Sequence, residues 1–254
     1  MRILVLTGIK EELSAVAERH PLSFDRERGL YRSDQYPEVY VGTTGPGIPK
    51  SGRKQLRRWL RELAPHIIIN AGLVGLLREA AEQSGGDRLR LGAVIHQSTG
   101  VVYPGGAGRG RLVSVPEPVF EPSAKMDLAL DLDAIACDME AAPLLGIVGQ
   151  TEEITTGSVV LLRKFVGDRP DSYRLFRHEH RIRGWERKGR LEKLWIGLRC
   201  PGCPRHLQEL LELKATALGA LGDDLAQLLR RLAPLPPENL EMALSRLDSA
   251  FIPH

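Results

Sequence analysis

The sequence lacks any apolar run approaching the roughly 20 residues that cross a bilayer; Ile3 to Leu6 is typical of its longest. No secretory h-region stands at its start, so no membrane association and a cytoplasmic location are expected. Cysteine is scarce, with three in 254 residues. A chain of this length removes roughly 70–75% of its unfolded surface from water and needs no disulfide or metal staple, and a cytosolic protein keeps its thiols reduced. An excess of one charge is also missing, since 35 Lys and Arg face 32 Asp and Glu. A net charge of +3 does not by itself argue for a nucleic-acid partner. With 43% hydrophobic and 26% charged residues, disorder, collagen and coiled coil are excluded as classes.

Two local features stand out against this even background. From Arg174 to Arg199 the basic residues run Arg174, Arg177, Arg181, Arg183, Arg187, Lys188, Arg190, Lys193 and Arg199, against Glu179, Glu186 and Glu192. Such a stretch either tracks phosphates, with Trp185 and Trp195 stacking on bases, or forms a solvated helical face, which is the plainer reading. Cys200-Pro-Gly-Cys203, followed by His206, has one half of a zinc-site spacing and no second half, so no metal is expected.

Periodicity predicts strands and helices in alternation over the first 170 or so residues. Arg2-Ile-Leu-Val-Leu-Thr-Gly8 reads as a buried strand, and Glu11 to Arg19 as a helix after it. Glu38-Val-Tyr-Val-Gly42 is extended and leads into Thr43-Thr-Gly-Pro-Gly-Ile-Pro49, where glycine and proline forbid regular structure. Lys50 to Leu63 is amphipathic, and Pro65 to Gly72 is a strand apolar on both faces. Further strands are expected at Leu91–Ile95, Gly100–Tyr103, Ala134–Asp138 and Val159–Val166, with a flexible loop at Gly105–Gly110 and a helix at Met139–Leu145. Three helices, Pro204–Leu218, Asp223–Leu232 and Pro237–Leu247, close the chain. The pattern predicts one α/β domain over 1–254, a largely parallel or mixed sheet between helices in three αβα layers, with a basic helical C-terminal part from about residue 174.

In such sheets ligands gather beyond the carboxyl ends of the strands, where loop backbone and helix N-termini converge. Those ends carry Glu11 and Glu12, the Gly45-Pro-Gly47 loop, Gly72-Leu-Val-Gly75, Asp138-Met-Glu140 and Gly167-Asp168. Five carboxylates and two glycine turns suit a polyhydroxylated ligand of little charge. Each also has a plainer explanation. Glu11 and Glu12 are placed to favour a helix dipole, the glycines to make tight connections, Asp138 and Glu140 to cap a helix, and Asp168 to start a turn.

Their order along the chain resembles the nucleoside phosphorylase/nucleosidase superfamily, above all its methylthioadenosine/S-adenosylhomocysteine nucleosidase branch. Met-Arg-Ile-Leu-Val-Leu-Thr-Gly-Ile-Lys-Glu-Glu12 is similar to that branch's opening strand and acidic run. Ile67-Ile-Ile-Asn-Ala-Gly-Leu-Val-Gly-Leu-Leu77 resembles its Asn-x-Gly-x-x-Gly turn, Ala134-Ile-Ala-Cys-Asp-Met-Glu-Ala141 its acid-Met-Glu triplet, and Leu162-Arg-Lys-Phe-Val-Gly-Asp168 its late strand with the catalytic aspartate. The four segments occur in family order over roughly residues 1 to 175.

The resemblance implies hydrolysis of the N-glycosidic bond of a purine nucleoside, a 5′-substituted adenosine, on a phosphorylase/hydrolase-like fold without metal or organic cofactor. It implies that Asp168 protonates the purine at N7 and that Glu12 activates water. Glu140 then holds the ribose hydroxyls, Met139 lies beneath the sugar, Gly72 lines the substrate site, and Lys164 stands where the branch has an arginine. Phe120 is the candidate for stacking on the base, against an ordinary loop or core aromatic. A homodimer is implied as well. Phosphorolysis, with inorganic phosphate cradled by Gly45 and Gly47, is the alternative of the same fold. Nucleic-acid binding through 174–199 is the alternative of another class.

Departures from the branch are equally specific. Leu73 replaces a serine that helps to hold the aspartate, and Gly167 replaces the small hydroxyl residue before it. The apolar Leu73 and the Asp before Met139 resemble members associated with hopanoid biosynthesis, which cleave adenine from a nucleoside bearing a large lipid substituent. The tail from His178 onward is similar to nothing in the branch.

Overall fold

The computed structural model describes residues 1–78, 86–106, 108–151, 158–170, 203–240 and 250–251. The basic stretch 174–199, the tryptophans in it, Cys200 and most of the expected 237–247 helix lie outside the described residues, as do the side chains of Cys203 and His206.

Eleven strands form one mixed sheet in the described residues. Strand β1 (Ile3–Thr7) pairs in parallel with β4 (Val39–Thr43) and with β5 (Ile67–Leu76), and β10 (Val159–Asp168) runs parallel to β5 on its other edge. Outward from β4 lie β3 (Leu30–Ser33) and β2 (Leu22–Asp25), both antiparallel to their neighbours. On the far side, β9 (Ala136–Asp138) joins the end of β5 antiparallel and continues through β8 (Gly110–Ser114) and β6 (Leu91–His96) to β7 (Val102–Pro104). The two-residue β11 (Ala250–Phe251) pairs with β10.

Alternation along the strands assigns the two faces. Leu4, Leu6, Ile68, Val160 and Leu162 pack with α2 (Lys50–Leu63) and α4 (Ala141–Gly149), whereas Ile3, Val5, Ile67, Ile69 and Leu161 pack with α1 (Lys10–Arg19) and α5 (Cys203–Leu232). A sheet covered on both sides needs strands apolar in both phases, which is why β1 and β5 read as unbroken hydrophobic runs. The expected three αβα layers are therefore present. Helix α3 (Pro122–Leu132) forms a smaller third cluster with β8 and β9.

Three expectations needed revision. The third strand does not stop at Gly72 but runs on through the glycines to Leu76. The first two tail helices are one, because Gly222 marks close approach rather than a break: a Cβ there would lie 2.5 Å from the Ala15 carbonyl oxygen of α1. Leu221, Leu225, Leu228, Leu229 and Leu232 of α5 are buried, so this part of the tail completes the core. Finally, the β2–β3 hairpin, β8 and α3 were not expected; the hairpin turn is fixed by Asp25, whose carboxylate accepts from the N–H groups of Glu27 and Arg28, and by Gly29 at φ 66°.

Candidate active site

The ladder between β1 and β5 ends at the Thr7–Ala71 pair, and β9 takes over the same edge of β5 only at Gly75. Between them lies a fork in the sheet, where β5 backbone groups have no strand beside them. Glu12, in the first turn of α1, fills it. Its carboxylate accepts hydrogen bonds from Leu73 N–H at 2.9 Å, Gly8 N–H at 2.8 Å and Ile9 N–H at 3.2 Å. The Ile9 contact also caps α1, so the helix-terminus explanation of Glu12 and its place in the site hold together. Glu11, by contrast, is exposed and pairs with Lys214 at 3.8 Å.

Glycine is required around this carboxylate. A Cβ on Gly72 would lie 3.0 Å from Glu12 Oε1, and one on Gly8 would lie 3.0 Å from Glu140 Oε1 and 3.5 Å from Glu12 Oε2. The two glutamates thus meet over Gly8. Glu140 accepts from Gly47 N–H at 3.1 Å, which ties the Gly45–Pro49 loop to the site. That loop is tightly wound, with Gly45, Gly47 and even the β-branched Ile48 at positive φ. A buried isoleucine in that region stores roughly 1–2 kcal/mol of backbone strain. Met139 Cε lies 3.5 Å from a Cβ on Gly47.

Beneath the glutamates Lys164 donates to Asp138 at 2.8 Å, both side chains being almost wholly buried. Ser114 Oγ donates to the other oxygen of Asp138 at 2.6 Å, and Ala141 N–H to the first at 3.0 Å, so Asp138 satisfies the first N–H of α4 although the N-cap residue is Glu140, whose side chain makes no cap bond. Burial raises the Glu12 carboxyl above its ordinary value, against the pull of the Leu73 N–H and of Lys164. Burial pushes Glu140 up to about 7, with Lys164 opposing and Asp138 adding to the rise. For Lys164 burial disfavours the charge, but Asp138, Glu140 and Glu12 outweigh it and hold the ammonium above its usual range.

Asp168 stands farther along the same strand. Beyond a register shift in β10 it pairs with Gly75, and its Oδ2 would lie 3.1 Å from a Cβ there. The glycines that these two carboxylates adjoin, Gly72 and Gly75, are about 10 Å apart along β5, and because three is an odd step their Cβ directions leave the strand toward opposite faces. Three residues were missed in the sequence. Lys125 of α3, fully buried, donates to Asp168 and to the Arg169 carbonyl at 3.0 Å. Ser114 orients Asp138. Cys137 lies with its Sγ 3.6 Å from a Cβ on Gly75, its thiol pushed by burial up to about 12. The one available signal was Lys125, which shares the inward phase of α3 with Ala129.

Phe120 is partly exposed just before α3, at 37%. A cavity of about 670 Å³ between α1 and α5, lined by Arg19, His20, Asp223, Asp224, Gln227 and Arg230 among others, contains none of these carboxylates. Among the described residues no group of three or more His, Cys, Asp or Glu is disposed to hold a metal, and no helix is long and apolar enough to cross a membrane.

The forked mixed sheet between helical layers is an α/β fold shared with solved nucleosidases. Particular solved structures share it. The futalosine hydrolase of Helicobacter pylori is 12% identical over 91% of this chain and 98% of its own, with a TM-score of 0.62. The 5′-methylthioadenosine nucleosidase of Arabidopsis thaliana is 14% identical over 94% and 98%, also at 0.62. The 5′-methylthioadenosine/S-adenosylhomocysteine nucleosidase of Neisseria meningitidis, solved with methylthio-immucillin-A, is 15% identical over 91% and 99%, again at 0.62. No family profile and no curated protein matches the sequence. At these identities the likeness is one of fold.

Proposed function

We propose that this chain is a purine nucleosidase that hydrolyses the N-glycosidic bond of a 5′-substituted adenosine, of the kind named for the Arabidopsis and Neisseria structures. The reaction develops an oxocarbenium-like sugar, and three tasks follow: protonating the departing base, supporting positive charge on the ribose, and delivering water to the opposite face. In this reading Asp168 holds and protonates the purine, Glu140 accepts from the ribose hydroxyls with Met139 beneath the sugar, and Glu12 takes the proton of the attacking water. Gly72 lines the site because only a residue without a side chain leaves the Glu12 carboxylate its position. Lys164 keeps three buried carboxylates from repelling one another, and Phe120 closes over the base.

One observation carries the choice of water over phosphate. The backbone N–H groups of Gly8, Ile9 and Leu73, a ready cradle for an anion, are all taken by the Glu12 carboxylate, and Gly47 N–H is taken by Glu140. A buried carboxylate in that position repels a second anion, so Gly45 and Gly47 shape the loop instead of binding phosphate. Burial also lifts Glu12 toward neutrality, which suits a general base. Water and acids suffice for this chemistry, so no cofactor is called for.

We further propose a cytoplasmic homodimer formed by one domain over the whole chain; the apolar Met126 and Leu130, exposed at 48% and 71% on α3, support an interface there. Incubating the protein with methylthioadenosine, adenosine and inosine, with and without phosphate, tests the reading. Free base is expected from the adenosine derivatives independently of phosphate, and Asp168→Asn is expected to lower its release by about 10²–10⁴-fold without unfolding the protein. Binding of nucleic acid that falls steeply with salt and survives loss of Glu12 and Asp168 would point to the basic stretch 174–199 instead.

A further inference from the structure

Helix α3 carries its polarity the wrong way round. Lys125 points inward at 0% exposure, while Met126 and Leu130 face outward. A lysine enters a dry interior only where its charge is met, and Lys125 is met by the Asp168 carboxylate and the Arg169 carbonyl. The pair joins residues 43 positions apart, on separate elements. Of its two side chains only that of Asp168 is accessible at all, at 16% against 0% for Lys125. Among the described residues the ammonium meets the aspartate and the Arg169 carbonyl, and of these two acceptors the carboxylate is the one that can take up and pass on a proton.

We infer that Lys125 supplies, through Asp168, the proton that the departing purine takes up; this rests on the nucleosidase reading. A carboxylate locked in an ion pair has no proton of its own to give, so the acid is the pair. In the proposed step an Nζ–H bond of Lys125 breaks as an O–H bond forms on Asp168. That O–H then breaks as N7–H forms, while the C1′–N9 bond breaks and its electron pair goes to the purine. Water oxygen bonds to C1′, and the proton it sheds goes to Glu12. After release Glu12 gives up that proton and Lys125 recovers one from solvent, so the net change is nucleoside plus water to base plus sugar.

Substrate choice and two variants test this. The purine nucleoside requires leaving-group protonation, whereas p-nitrophenyl riboside releases a stable phenolate that does not. Lys125→Met is expected to lower purine release about 100-fold or more, within the range of lost general-acid catalysis, while nitrophenol release falls less than about ten-fold. Its purine activity is expected to recover as the medium is made more acid, since Asp168 then draws its proton from water. Lys125→Arg keeps the charge and the pairing but yields no proton at any ordinary pH, so it is expected to share the purine defect while folding as the wild type does. Purine release restored by arginine, or equal losses on both substrates, would overturn the relay and leave Lys125 as a structural counter-charge. A wild-type protein that frees no purine from any nucleoside would overturn the nucleosidase reading itself, and the relay with it.

Discussion

Leu73 and Gly167 occupy one another's space: a Cβ on Gly167 would lie 2.9 Å from Leu73 Cβ and 3.0 Å from its Cδ1. These are the two positions at which the chain departs from the nucleosidase pattern around Asp168, and they adjoin across the β5–β10 ladder. The two positions are therefore one packing unit, in which the large apolar Leu73 of β5 fills the space that Gly167 of β10 leaves open. Gly167→Ser alone is expected to destabilise by roughly 1–3 kcal/mol through overpacking. Leu73→Ser alone leaves a gap and is expected to cost a similar amount. The double variant should recover part of both losses, with a coupling of about 0.5–3 kcal/mol in a denaturation cycle. Additive losses would mean that the two sites accommodate change independently.

Lys164 is the counter-ion of a buried acidic cluster, in direct contact with Asp138 and in the field of Glu12 and Glu140. Removing one partner of a buried pair strands the other charge, at a cost of about 3–5 kcal/mol. Lys164→Met is expected to lower stability by that order in urea unfolding, and adding Asp138→Asn should return part of it. The arginine that the resemblance places here would bring a wider fork into a fully enclosed position, so Lys164→Arg should also destabilise, though less than Lys164→Met.

Glu140 gives the stability a definite pH dependence. Its carboxyl is raised by burial from 4.5 to about 7, against Lys164 and with Asp138. A group raised on folding contributes stability that is fully present below its unfolded value and is lost as pH climbs through the folded one. Glu140 accordingly works in favour of the fold near pH 4.5 and ceases to do so as pH passes about 7. Glu140→Gln cannot ionise, so relative to wild type it should gain stability between pH 5 and pH 8, by on the order of 2–3 kcal/mol. Urea midpoints of both proteins at the two pH values check this, and a constant difference would contradict it.

The site was readable from the sequence to the extent that its parts lie at strand ends. Glu12, Glu140 and Asp168 each follow or end a strand whose apolar run marks it, so one topological rule locates them, whereas Lys164 lies inside β10 and only the resemblance pointed to it. Lys125 obeys no such rule. It sits mid-helix in Pro122-Ser-Ala-Lys-Met-Asp-Leu-Ala-Leu-Asp-Leu132, where a lysine ordinarily faces water, and only the arrival of Asp168 from β10 makes the inward position favourable. The fork between β1 and β9 was hidden for a related reason: Gly72 and Gly75 read as the end of a strand, yet the strand continues and it is the neighbour that changes. Strand content is local, whereas the partner along an edge is decided by tertiary packing.

That fork makes Gly72 the most economical test of the Glu12 assignment. Its backbone is not in the left-handed region, so alanine fits the local conformation, and replacing a mid-strand glycine ordinarily stabilises by about 0.5–1 kcal/mol. The added methyl would nevertheless stand 3.0 Å from Glu12 Oε1 and 3.4 Å from its Cδ, driving the carboxylate away from the Leu73 N–H. If Glu12 activates water, an error of this size in its position should cost about 10²-fold in kcat, with little change in KM because Glu140 and Asp168 are untouched. Steady-state kinetics beside a urea titration separate the two effects. A Gly72→Ala protein that is stable and fully active would show that the rate does not depend on where this carboxylate sits.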